Sequence, residues 1–350
     1  MRNTLRSALL AACGIIAALA VLEVTLRPLA TADLPPLAHP AADSLGSPVV
    51  TSRQLEEGIA ESHFSKAGAR LTGNPSIAGA PLIVILGDSH VVAREVTDQQ
   101  TMGSWVERLA RRERVSVNVR QYGWRGASPP QYLMVARDVM SRWHPAQVVV
   151  VLDGDDLGPD PLNRTFPRMR IGRNDAVQLV RGPHEGYVPA APHHRFTLAT
   201  LARIRWQRVL ERVPKSVRPW LSAPGESNGT TPAPALIAAV PRAEVKALSR
   251  AFGPNLLIVY TADVRATGGM KTDPGEERLL VACVQQRVRC VSMRSIMLAA
   301  RRSGYVVRGF STTTLGVGHM NAKGHELVGR EIWQQLRPTV PRATPQLAAR

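Results

Sequence analysis

The chain has 350 residues, 44% of them apolar, which is enough for one large domain with decorations and excludes a disordered or fibrous chain. Its net charge of +17 is carried mainly by arginine, yet the arginines are scattered, as in Arg111-Arg112-Glu113-Arg114, with no basic stripe interleaved with aromatics, so nucleic acid is not an expected partner. An Arg-rich solvated surface is the plain reading, and attraction to anionic lipid headgroups or an acidic envelope polysaccharide the sharper one.

Met1 to Leu26 opens with Arg2 and Arg6 and runs apolar from Ala8 to Leu22. That approaches the span of about 20 residues that a bilayer requires, with the basic flank on the cytoplasmic side. Residues 1–30 are therefore expected to be an uncleaved transmembrane anchor with the rest of the chain extracytoplasmic, periplasmic or extracellular. A cleaved signal peptide, processed after Ala18-Leu19-Ala20 or Leu29-Ala30-Thr31-Ala32, is the alternative. Cys13 reads as an ordinary residue of that segment. Residues 31–78, with Pro35-Pro36 and Pro40, read as a Pro/Ala-rich spacer.

The main domain is expected over residues 79–337. A first strand near Ile83 to Leu86 is followed by a helix over Gln99–Arg112, with Met102, Trp105 and Leu109 at helical spacing. A β-branched run, Val115 to Val119, and a helix over Gln131–Arg142 come next. Val148-Val149-Val150-Val151-Leu152 reads as a central parallel strand, since a strand covered on both faces is apolar throughout. From about 158 to 235 the periodicity fades into an irregular insert with one helix expected at Thr197–Val213, either a cap over a site or a surface excursion. Order resumes with a helix at Ala243–Ala251, a strand at Leu256–Tyr260, a helix at Gly275–Gln286 and a strand at Arg289–Ser292, and residues 338–350 read as a tail. This alternation predicts a three-layer α/β/α sandwich around a parallel sheet. Cys283 and Cys290 flank a short turn, with a disulfide or two buried thiols equally open.

The chemistry concentrates in four blocks. Ile83-Val84-Ile85-Leu86-Gly87-Asp88-Ser89-His90 presents a serine where an apolar strand ends, and Gln121-Tyr122-Gly123-Trp124-Arg125-Gly126 brings a strand into a glycine loop. Asp153-Gly154-Asp155-Asp156 follows the central strand, and His319-Met320-Asn321-Ala322-Lys323-Gly324-His325 opens a helical pattern through Leu336. In this order the blocks resemble the SGNH or GDSL-type serine hydrolases. The resemblance covers roughly residues 80 to 337. It implies the SGNH/flavodoxin-like sandwich, Ser89 as nucleophile, His319 as general base, and an oxyanion hole from the N–H groups of Ser89 and Gly126. Asp155 stands where the family places an oxyanion asparagine, and Gly316 and Val317 stand where it places the aspartate that orients the histidine.

The expected function is thus hydrolysis of O-acetyl or O-acyl esters, on a small molecule or an envelope glycan, without metal or other cofactor. The alternatives are acyl transfer from the same acyl-enzyme and a degenerate, non-catalytic glycan or partner binder. Other candidates have plainer readings. Gly268-Gly269 lacks phosphate-cradle spacing, and His184, His193 and His194 read as solvated loop histidines. His90, beside Ser89, could line the pocket but alternates away from it if extended geometry persists; His325 is a helical packing or surface residue; and Asp155 with Asp156, a pair that suggests a metal site, reads more plainly as loop caps since no third ligand is visible.

Overall fold

Apolar runs of β-branched residues fall side by side in a computed structural model that describes residues 2–26, 49–54, 57–58, 60–65, 68–124, 126–157, 168–171, 177–180, 234–262, 274–311, 313 and 315–340. In chain order the strands are β1 (Val49–Gln54), β2 (Ala60–Ser65), β3 (Leu82–Gly87), β4 (Asn118–Gly123), β5 (Gln147–Leu152), β6 (Arg168–Ile171), β7 (Val177–Val180), β8 (Leu256–Tyr260) and β9 (Arg289–Ser292). The helices are α1 (Arg2–Leu26), α2 (Ser89–Val92), α3 (Met102–Arg112), α4 (Pro129–Trp143), α5 (Pro234–Phe252), α6 (Pro274–Gln286), α7 (Arg294–Arg302) and α8 (Ala322–Leu336).

Five strands form one parallel sheet in the order β4-β3-β5-β8-β9. Counting only these strands the order is 2-1-3-4-5, the flavodoxin-like winding expected of the SGNH resemblance. β5 and β8 are buried along their whole length, as strands covered on both faces must be, and each buried Val or Leu contributes about 1.5–3 kcal/mol. α3 packs with α8 in one helix layer, while α4, α5 and α6 pack in succession in the other. The winding reverses at β3, whose neighbours β4 and β5 continue the sheet in opposite directions. The carboxyl end of β3 is therefore the switch point where ligand crevices form.

Local chemistry sets the helix starts. The Thr101 hydroxyl accepts the Ser104 N–H at the head of α3, Ser128 and Gln131 form a capping box before Pro129-Pro130, and Asn321 caps α8 through the N–H groups of Lys323 and Gly324. α8 thus begins three residues after His319 and leaves that histidine in a loop. The strand expected at Val115–Val119 lies later, at Asn118–Gly123, because Val115 and Val117 are used in the connection from α3.

The segment read as a spacer departs most from expectation. Its residues 49–65 form an antiparallel hairpin, β1 with β2, joined to β4 through bridges from Phe64 to Arg70 and from Arg70 to Gln121. Arg70, 1% exposed, pairs with Asp98 and donates to the Val96 carbonyl, while Asp98 also accepts the His63 N–H at 3.0 Å. A buried guanidinium without such partners would be costly, so this knot fixes the hairpin to the segment after α2. The domain therefore begins well before residue 79.

The chain divides into two compact units, residues 1–33 with 189–229, and residues 34–188 with 230–350. α1 is the described part of the first; Leu10, Ile15, Ile16 and Leu19 on it are exposed. Among the described residues no helix is long and apolar enough to cross a membrane. Of the insert, β6 and β7 form a hairpin, and Val177 and Leu179 line a groove of about 340 Å³ with Leu133, Ala247 and Ala251. The helix expected at Thr197–Val213, the three insert histidines, Gly268-Gly269, the proline-rich stretch 31–48 and residues 341–350 lie outside the described residues. Cys283 and Cys290 form a disulfide with a Cα–Cα distance of 6.1 Å.

Candidate active site

β3 ends at Gly87, and Asp88 caps the single turn of α2, its Oδ1 accepting the His90 N–H at 2.9 Å and its Oδ2 the Ser89 hydroxyl at 3.1 Å. Extended geometry stops there, so His90 does not alternate into solvent; it is buried behind the turn, 4% exposed. Gly126 follows β4 in an exposed turn with φ 67°, and Asp155 lies in the turn Gly154–Asp156 after β5, its side chain outside the described residues. Because β4 and β5 flank β3 in parallel, Ser89, Gly126 and the 154–156 turn follow three neighbouring strands at one edge.

His319 reaches the same edge from the other end of the chain. Its ring meets that of His90 edge-on, with centroids 5.5 Å apart, and Asp88 is close enough for its charge to act on it. The group that orients it is one the sequence reading missed. Glu57, in the turn between β1 and β2, accepts the His319 N–H through Oε1 at 2.9 Å and bonds Nδ1 through Oε2. Glu95 Oε1 stands 3.6 Å from the same nitrogen. With Nδ1 engaged, Nε2 is the ring atom left for chemistry. In the resting arrangement the hydrogen-bond partner of Ser89 Oγ among the described residues is Asp88, not His319. Such bonds are often made only with substrate bound.

Two glycines make the carboxylate's seat. A Cβ on Gly318, whose φ is +86°, would fall onto Glu57 Oε1, and a Cβ on Gly58 would lie 2.7 Å from the Glu95 carbonyl oxygen and 2.9 Å from the Phe310 ring. The loop before His319, which carries no acid of its own, is a glycine-rich notch that receives one from elsewhere. The signals were modest but present: the β-branched run Val49-Val50-Thr51, a Glu57-Gly58 turn, and the absence of any acid at 316–318.

Charge follows from this geometry. Burial pulls the His319 imidazolium down, but the hydrogen bond from Glu57 and the charges of Glu95, Glu57 and Asp88 outweigh it and raise its pKa to about 9. Burial pushes Glu57 up, and His319 more than reverses that, holding the carboxyl below its ordinary range. Glu95 is raised, because its burial exceeds what His319 returns. His325, expected as a packing residue, is 1% exposed on α8, and burial followed by the charges of His90, Arg70 and His319 lowers it to about 3.

A second set of acids lies in the fields of Asp88 and Asp153. Asp156 Oδ2 accepts the Asp153 N–H at 3.0 Å, which is the loop-capping role expected for it. Burial, then the fields of Asp88 and Asp153, raise Asp156 well above the usual carboxylate range, and burial alone does the same to Glu244 on α5. Tyr132 donates to the Ala127 carbonyl at 3.1 Å and is likewise held protonated by burial and these acids.

Among the described residues two sets of side chains have metal-binding donor types within 4.8 Å of one another: Glu57, Glu95 and His319, and Asp88, His90 and Asp153. Imidazole–carboxylate bonding accounts for the first, and the Arg308 guanidinium, 3.0 Å from His90 Nε2, is a poor neighbour for a cation at the second.

No protein-family model matches the sequence, and no curated protein does. Among solved structures the chain is similar to a lipase/acylhydrolase from Enterococcus faecalis, at 12% identity and a TM-score of 0.42, over 75% of this chain and 99% of that one. It is also similar to a two-domain esterase active on acetylated mannans, at 13% identity and a TM-score of 0.41, over 76% of this chain and 53% of that one. An acetyl xylan esterase matches at 11% identity and a TM-score of 0.40, over 73% of this chain and 99% of that one.

Proposed function

We propose that the chain is an SGNH-type serine ester hydrolase, with Ser89 as nucleophile, His319 as general base and Glu57 as the acid that orients it. The observation that carries this reading is the double bond of one carboxylate to the N–H and Nδ1 of His319, at the sheet edge where β3 delivers Ser89. A base fixed through Nδ1 keeps Nε2 in the correct tautomer for a serine hydroxyl.

In the proposed reaction His319 Nε2 takes the Ser89 proton as Oγ attacks the ester carbonyl carbon. The oxyanion so formed is held by the N–H groups of Ser89 and Gly126. Its collapse breaks the ester C–O bond, and the departing alcohol takes the proton from His319. Water, deprotonated by the same nitrogen, then attacks the acyl-enzyme carbonyl, and collapse breaks the Ser89 Oγ–C bond, releasing the acid as Oγ takes the proton back from His319. Asp155, at the family's asparagine position, is not needed for either N–H. A serine-directed fluorophosphonate should label the purified protein, and Ser89→Ala should lose both the label and hydrolysis of a small acetyl ester. Hydrolysis that survives in Ser89→Ala refutes the assignment.

The substrate proposed is an O-acetyl or O-acyl ester of an envelope glycan, met outside the cytoplasm by a protein attached to the membrane through α1. The exposed apolar side chains of α1 and the Cys283–Cys290 disulfide, a bond of oxidising compartments, support that location. The full chain should sediment with membranes, and a version cut after about residue 30 should not; equal solubility of the two removes the tether.

A further inference from the structure

The proposed chemistry needs Ser89 and His319 at a fixed separation, although one sits on a single helical turn and the other in a loop. His90 and Met320, the residues that follow them, are 230 positions apart in sequence and are joined directly, the Met320 N–H donating to His90 Nδ1 at 3.2 Å. On the other side of His319, the Gly318 carbonyl accepts from Arg308 Nη1 at 3.3 Å. Arg308 is in turn tied to the sheet by Nη2, which donates to the Thr261 carbonyl at 3.3 Å, just past the end of β8. The backbone on both flanks of His319 is thus gripped by a buried side chain, and the two grips touch.

We propose that His90 and Arg308 are positioning residues that hold the His319 loop in register with the Ser89 turn. This rests on the reading of His319 as the base. Proton accounting supports it. A backbone N–H can only donate, so His90 Nδ1 must be the acceptor nitrogen and the ring proton sits on Nε2, where Asp153 Oδ2 at 3.3 Å receives it. Of the two hydrogens on Arg308 Nη1, which lies 3.0 Å from Nε2, one goes to the Gly318 carbonyl. Asp153 follows β5, so the ring is referenced to β3, β5 and the His319 loop at once.

Burial argues against a role in stability alone. His90 and Arg308 are 4% and 7% exposed, and Arg308 Nε has no partner among the described residues. A buried guanidinium left partly unsatisfied is destabilising relative to an apolar residue of similar volume. What it supplies is geometry, and displacing a reacting group by about 1 Å can cost about 10²-fold in turnover.

The test uses the full chain with ¹⁵N-labelled histidine. In the wild type, His90 Nδ1 should show the ¹⁵N shift of an unprotonated nitrogen, and a protonated Nδ1 overturns the proposal without any variant. The His319 ring, faced by Glu57, Glu95, Asp88 and His90, should titrate near the value of about 9. In His90→Leu and Arg308→Met its midpoint should fall toward the ordinary histidine value as the ring leaves Glu57. His90→Asn, which keeps an acceptor near the Nδ1 position, should retain the wild-type midpoint. On a small acetyl ester, kcat should fall about 10²-fold with KM little changed in the first two variants and recover in His90→Asn. A folded His90→Leu or Arg308→Met that keeps the midpoint and kcat of the wild type overturns the proposal. If the wild type neither labels nor hydrolyses, the proposed function fails, while the imidazole shifts still decide whether the clamp exists.

Discussion

Two sets of acidic side chains in this domain behave in opposite ways. In one, Glu57 is held below its ordinary range and raises the pKa of His319; in the other, burial pushes Asp156 and Glu244 well above the ordinary carboxylate range. Burial opposes ionisation in both places. The difference is the partner: Glu57 has an imidazole in direct hydrogen-bond contact, whereas Asp156 meets a backbone N–H and the charges of other acids. Glu95 lies between these cases, near the imidazole but so buried that its pKa rises. Proximity of a cation does not by itself offset burial; Glu57, whose pKa falls, has a direct hydrogen bond to the imidazole as well as its charge.

The largest effect expected from breaking this contrast is at Glu57. Glu57→Gln keeps the shape but removes the charge, and kcat should fall by about 10⁴, as when a triad acid is neutralised. The pH profile separates this from mere damage. In the wild type His319 must lose a proton before it can act as a base, so kcat/KM should rise about tenfold per pH unit until about pH 9. In Glu57→Gln the rise should end at lower pH, and an unchanged profile would show that Glu57 does not tune His319.

Stability should shift with the same ion pair. His319 has a folded pKa of about 9 against 6.5 ordinarily, so its contribution is complete below 6.5 and is lost as pH rises through about 9. Glu57, lowered in the fold, contributes above its ordinary pKa and loses that contribution as pH falls. Denaturation in urea between pH 6 and 10 should therefore show a decline of up to about 3 kcal/mol in the wild type and a smaller one in Glu57→Gln. A flat wild-type curve would leave His319 uncharged.

The smallest effect belongs to the opposite acid set. Asp156→Asn removes a carboxyl whose ionisation burial opposes and keeps an oxygen that accepts the Asp153 N–H, so stability at pH 7 should change by less than about 1 kcal/mol. A large loss would mean that Asp156 is ionised and that the two sets differ less than their surroundings suggest.

The sheet was legible in the sequence because β5 and β8 are covered on both faces and so read as unbroken apolar runs, and Leu256–Tyr260 and Arg289–Ser292 coincide with the predicted strands. The turns were less so. α7 (Arg294–Arg302) was not predicted; it is only nine residues long and buries Met297 alone. Ser89, Gly126 and His319 could be proposed from local patterns, because each follows a strand or precedes a helix. Glu57 could not, since the link between it and His319 spans 262 positions and leaves no local spacing to read. For His90 the condition on its alternation is not met: a helix cap at Asp88 ends the extended strand one residue before the serine.

That long separation has a consequence for assembly. The β1–β2 hairpin is made early in synthesis, while the glycine notch that receives its acid lies near the other end of the domain. Closing so long a loop adds little entropy cost beyond closing a shorter one, since the cost grows only with the logarithm of length. It does set an order of events. Until the loop at 318–320 has emerged and docked, Glu57 has no imidazole to charge, and the nascent protein carries a serine turn without its base. A partly made or clipped chain is in this sense chemically silent, and the proposed reaction begins only when the two ends of the domain have met.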